Sequence, residues 1–111
     1  MAVKILIKRK VPREKGMALL NLIGELRLRA AAQPGYISGE TMRSIDRPDE
    51  YLVISTWLGI DDWKAWAASK ERAEIQSKID EIIGEPTQYE AYDYPEKSAA
   101  SLRSFKGWEG G

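Results

Sequence analysis

Two arginines and a glutamine stand where the helical repeat otherwise places apolar side chains. After Ser69, Ile75, Ile79, Ile82 and Ile83 define one apolar helix face; Arg72 falls near its middle and Gln76 flanks it. Earlier in the chain, Arg27 lies between Leu20 and Ile23 on a face otherwise made by Leu19, Leu20, Ile23, Leu26 and Ala30. A charged group so placed must be paired or must meet a solvated cavity, because a bare buried charge is too costly. Two helices that each aim an arginine at a shared interior make a cationic patch suited to a phenolate or a carboxylate. Gln76 adds a further hydrogen-bond donor. The plainer outcome is that Arg27 snorkels along its helix edge while Arg72 reaches solvent or pairs with Asp62. Trp66, three residues after Trp63, is a candidate wall for a planar ligand, and Trp57 shares that role; both also read as core aromatics. Tyr36, Tyr51 and Tyr89 bring hydroxyls to strand ends, where most tyrosines merely pack.

The composition narrows the chemistry further. The 111 residues include no cysteine and no histidine, which excludes thiolate metal sites, cysteine nucleophiles and imidazole bases or ligands. Neither a metal nor an organic cofactor is expected. Lysine and arginine together number 17, as do aspartate and glutamate, so the formal net charge is zero. That balance gives no overall pull toward nucleic acid or an anionic membrane. Apolar runs fall well short of the roughly 20 residues of a membrane span, and a soluble cytoplasmic protein is the expectation.

Strand and helix signals alternate along the chain. Ala2–Val11 sets Val3, Ile5 and Ile7 against Lys4 and Lys8, a half-buried strand whose Lys8-Arg9-Lys10 end reads as a solvated rim. Pro12 stops it and opens a helix over about Lys15–Ala32, with Glu25 and Arg29 as an i,i+4 pair on its polar side. Gln33-Pro34-Gly35 breaks the chain before a second strand, Tyr36–Arg43, and the polar turn Asp46–Glu50 leads into a third, Tyr51–Trp57. In that third strand Leu52 and Ile54 face one way, Tyr51, Val53 and Trp57 the other, so both faces need covering. A short helix with Asp61 and Asp62 in its first turn follows, then a longer one begun by Ser69 and ended by Gly84 and Pro86. The last strand is Thr87–Tyr94.

This order, β-α-β-β-α-β, specifies an α+β ferredoxin-like domain over residues 1–94: a four-stranded antiparallel sheet with its helices on one face. The uncovered face keeps apolar residues, and pairing with a second copy of the chain is the simplest way to bury it. Residues 95–111 are small, polar and Gly-ended, and read as a tail that is loose or packed on the partner subunit.

The run Thr56-Trp57-Leu58-Gly59-Ile60-Asp61-Asp62-Trp63-Lys64-Ala65-Trp66-Ala67-Ala68-Ser69 resembles the signature of the antibiotic biosynthesis monooxygenase family. The Pro34-Gly35-Tyr36 step is similar to the family's break before its second strand. The resemblance covers roughly Ala2–Tyr94. It implies a homodimer, a dimeric α+β barrel, with a cavity in each subunit between sheet and helices. Haem-degrading members use an asparagine on the first strand, a tryptophan in the W-x-x-S turn and a histidine ten residues later. Here Trp66 matches, but the later position is Gln76 and the chain's single asparagine, Asn21, lies in a helix, so haem degradation is not expected. Quinone-forming members oxidise polycyclic phenols with dioxygen alone. The resemblance therefore implies a cofactor-independent monooxygenase acting on a small aromatic, phenolic or polyketide-like molecule. Trp66, Arg72, Gln76, Arg27, Trp57 and Tyr36 are the candidate substrate-binding residues. A non-catalytic homodimer that binds a small aromatic or acidic molecule fits the same residues, and no side chain is marked as the base.

Overall fold

The computed structural model describes residues 2–95. Strand β1 (Val3–Lys10) leads through a short 3₁₀ turn (Arg13–Lys15) into helix α1 (Gly16–Ala30). Strands β2 (Tyr36–Arg43) and β3 (Glu50–Trp57) form a hairpin. Helices α2 (Ile60–Ala67) and α3 (Lys70–Ile82) precede the last strand, β4 (Gln88–Asp93). The four strands pair antiparallel in the order β2-β3-β1-β4, the ferredoxin-like arrangement. Most of the tail, expected to be loose or packed on a partner, lies outside the described residues.

Strand alternation decides what the helices cover. Val3, Ile5 and Ile7 on β1, with Tyr51, Val53 and Trp57 on β3, are buried against Leu19, Ile23 and Ala30 of α1 and Ile75 and Ile79 of α3. Arg9 continues the same face and is only 2% exposed, so the expectation of a solvated basic rim is wrong for this residue. Successive strand side chains point to opposite faces; Lys8 is therefore exposed and Lys10 reaches Glu85 at 3.9 Å, while Arg9 goes inward. Leu20 departs from expectation too, at 36% exposed. Two helices lying side by side on the sheet each bury a narrow stripe, here Leu19, Ile23, Leu26 and Ala30, and Leu20 sits at its edge.

Local signals place the connections. Ser69 caps α3, its Oγ accepting from the backbone N–H of Arg72 at 3.1 Å. Gly35 holds a φ of +84°, and its carbonyl accepts from Leu58 N–H at 2.7 Å. A side chain there would overlap Asp62, in the first turn of α2. That turn therefore ties the start of β2 to the start of α2, the two segments that carry Tyr36 and Trp63.

Candidate functional site

Between the sheet and helices α1 and α3 lies a cavity lined by Ile7, Ile23, Leu26, Ala30 and Val53, by Tyr36, Trp63 and Trp66, and by Arg9, Arg27 and Arg72. Gly39 and Ser55 complete the lining, which includes no aspartate or glutamate among the described residues. The space free to the centre of a water-sized molecule is about 40 Å³, room for a few waters, within about 420 Å³ of empty space that includes open solvent. A fused aromatic ring therefore fits only by reaching into the open side of the cavity.

Each arginine is positioned by a different element. Arg27 leaves α1 and donates to Thr41 Oγ1 on β2 at 2.7 Å. It is not snorkelling to solvent: a Cβ added at Gly39 would lie 3.0 Å from Arg27 Nε and 2.7 Å from the Tyr36 hydroxyl. The absent side chain at Gly39 is what lets these two groups converge over the strand. Arg72 leaves the first turn of α3 and donates to the Tyr89 hydroxyl, not to Asp62. Its guanidinium lies 5.7 Å from the centroid of Trp63 and 5.2 Å from that of Tyr89, in cation–π range of both rings.

Arg9, from β1, is the residue that pattern reading missed. Its Nη2 donates to Gln76 Oε1 at 2.9 Å. Burial pushes its guanidinium down to about 10, with Tyr89 opposing that change and Arg72 adding to it, so it remains cationic at neutral pH. Its place after Val3, Ile5 and Ile7 in a period of two was the signal that could have found it.

The other candidates separate into two groups. Trp66 is buried and Tyr36 half-buried, and both line the cavity. Gln76 does not line it. It stands behind Arg9, with its Nε2 donating to Asp80 Oδ1 at 2.9 Å and Thr87 Oγ1 at 3.0 Å, in a neighbouring open cleft. Trp57 is fully buried core, and its Nε1 donates to Ser55 Oγ at 2.7 Å. Its ring meets Tyr36 edge-on at 5.3 Å and Trp63 at 6.0 Å, so it props up the aromatic wall from behind.

The arrangement can bind a flat anion: aromatic faces take a ring, and guanidiniums take the charge. Comparisons with known proteins agree with the fold and limit what else follows. Protein SchA of Streptomyces halstedii is 33% identical over 55 residues, which are 50% of this chain but only 14% of that protein. A conserved protein from Methanosarcina mazei Go1 superposes with a TM-score of 0.77 at 20% identity, over 83% of this chain and 91% of that one. SnoaB, a cofactor-independent oxygenase from Streptomyces nogalater, superposes with a TM-score of 0.76 at 13% identity, over 87% of this chain and 96% of that one. At such identities the solved structures speak for the fold alone. The family model described as antibiotic biosynthesis monooxygenase matches residues 2–78. With that match spanning most of the chain, the protein belongs to the antibiotic biosynthesis monooxygenase family.

Proposed function

We propose that the chain is a cofactor-independent monooxygenase of a small aromatic, phenolic or polyketide-like molecule, bound in the cavity between sheet and helices. The observation that carries this reading is a cavity of mixed aromatic and aliphatic lining that holds three arginines and no carboxylate. Oxidation by dioxygen without a resident redox group needs an electron-rich anion as the reductant. A phenol or anthrone-type substrate supplies one on losing a proton. Its carbanion carbon then forms a C–O bond to dioxygen, and the resulting peroxide loses water as the O–O bond breaks. One oxygen stays as a carbonyl, the other leaves in the water, and the ring carbon is oxidised by four electrons. Arg27 and Arg72 are placed to stabilise the anion and the developing peroxide charge, which is worth most where water is excluded. Trp66, Trp63 and Tyr36 hold the ring.

The rival reading is a non-catalytic dimer that binds the same kind of molecule. It is favoured by the small enclosed space and by a lining without a carboxylate base. Oxygen consumption separates the two. Under air, a dihydroxynaphthalene or an anthrone is expected to be consumed at a rate proportional to protein concentration, with carbonyl product appearing. Arg72→Ala is expected to lower that rate while leaving the melting temperature near wild type, because this side chain lies at the cavity mouth. A rate equal to buffer across the panel leaves binding alone.

A further inference from the structure

Among the described residues, Arg9 Nε is the fully buried side-chain polar atom that has no hydrogen-bond partner. Such a donor, on a residue 98% removed from solvent, is left waiting for an acceptor that the described residues do not supply. The same side chain lines the cavity. Its Nη2 is held by a neutral amide oxygen, and Asp80 reaches it only through Gln76. The other two arginines of the lining are likewise met by neutral groups, Arg27 by the Thr41 hydroxyl and Arg72 by the Tyr89 hydroxyl. Three cations around one cavity thus have no carboxylate in contact among the described residues.

Resting on the reading of this cavity as the ligand site, we infer that its ligand is an aromatic acid whose carboxylate seats on Arg9 Nε, with the ring in the mouth against Trp63, Trp66 and Tyr36. A neutral phenol would give Nε an acceptor but no countercharge; a carboxylate gives both, and a charged acceptor makes the stronger hydrogen bond. Size points the same way. The space free to a water-sized molecule, about 40 Å³, suits a group on the scale of a carboxylate and not a ring, which must lie partly in the open side of the cavity.

The test compares 1-hydroxy-2-naphthoate with 1-naphthol, which share a ring and differ in the acid group, by quenching of tryptophan fluorescence at neutral pH. The naphthoate is expected to bind at least about 10-fold more tightly, the range of one charge-assisted contact. In Arg9→Met that advantage should shrink to within a few-fold with 1-naphthol binding unchanged, whereas Arg29→Met, on the exposed side of α1 and outside the cavity, should retain it. Saturable binding of both ligands with equal affinity overturns the inference and leaves the cavity reading intact; it is the result expected if a water satisfies Nε. A naphthoate preference that survives in folded Arg9→Met also overturns it. If neither ligand quenches, the cavity is no ligand site and both readings fall. Should Arg9→Met not fold, the wild-type comparison together with Arg9→Lys, which keeps the charge but lacks Nε, carries the same decision.

Discussion

At the scale of single residues, Arg9 is the point where stability and the proposed binding pull apart. Lowering a guanidinium from its ordinary value to about 10 by burial corresponds to roughly 3 kcal/mol spent holding a dry charge. Truncation recovers much of that but leaves Gln76 Oε1 without its donor, at about 1–3 kcal/mol. The opposing effects predict that Arg9→Met changes stability by no more than about 1–2 kcal/mol, against about 2–5 for Ile5→Ala in the adjacent core. The sign of the pH dependence follows from the direction of the shift. Native Arg9 gives up its proton before the unfolded chain does, so its cost is constant near neutrality and is relieved only above about pH 10. The difference between Arg9→Met and wild type should therefore be flat between about pH 6 and 8 in denaturant titrations; a loss above about 3 kcal/mol would make Arg9 a structural pair and no more. Sequence made this residue visible through alternation and hid it through context. Lys8-Arg9-Lys10 looks like one charged rim, whereas the pleat sends the middle residue the other way. Arg27 and Arg72 were legible because a helical wheel has a single apolar stripe to violate. Their partners, Thr41 and Tyr89, stand 14 and 17 residues on, in the strand after each helix, where no local pattern joins them.

At the scale of elements, the turn at Gly35 sets the cavity's aromatic wall. The Gln33-Pro34-Gly35 break was readable from the sequence, as were the cap at Ser69 and the order of strands and helices. What it could not show is that Gly35 packs on Asp62, because that contact depends on how α2 returns to the start of β2. Gly35→Ala meets two penalties: a positive φ, about 1 kcal/mol for a residue with a Cβ, and overlap with the Asp62 side chain. The expected loss is about 2–4 kcal/mol in urea unfolding. A second change, Asp62→Ala, should remove the clash with the Asp62 carboxyl but neither that with its Cβ, 2.7 Å away, nor the backbone cost, so the double variant should lie between Gly35→Ala and wild type. Equal stability of Gly35→Ala and the double variant would show that the side chain moves aside freely, and that the turn does not fix α2 against β2.

At the scale of the whole molecule, the sheet's second face is where we propose that a second copy packs. Its rows run Glu40, Ile54, Leu6, Glu90 and Met42, Leu52, Lys8, Gln88 across the four strands, bounded by Lys4 and Tyr92. Leu6, Leu52 and Ile54 are half-buried at the centre of one chain, while Met42 and Tyr92 remain 50% and 52% exposed. An apolar centre with lysines and glutamates both present on its rim is self-complementary, since a two-fold axis can set the acids of one copy against the bases of the other. Sedimentation equilibrium is expected to give twice the 12.5 kDa chain mass. Ile54→Glu places a charge at the centre of this face without entering the core beneath the helices, which Val53 and Ser55 contact from the opposite side. It should yield a folded monomer with native circular dichroism, because each half of a dimer would then bury an unpaired carboxylate against its copy. A dimer unchanged in Ile54→Glu would place the contact elsewhere, and a wild-type monomer would leave this face open for a partner of a different kind. The helix side and the open side of the sheet thus answer to different variants, Arg9→Met for the ligand and Ile54→Glu for assembly, and loss of one property without the other is what a two-faced sheet requires.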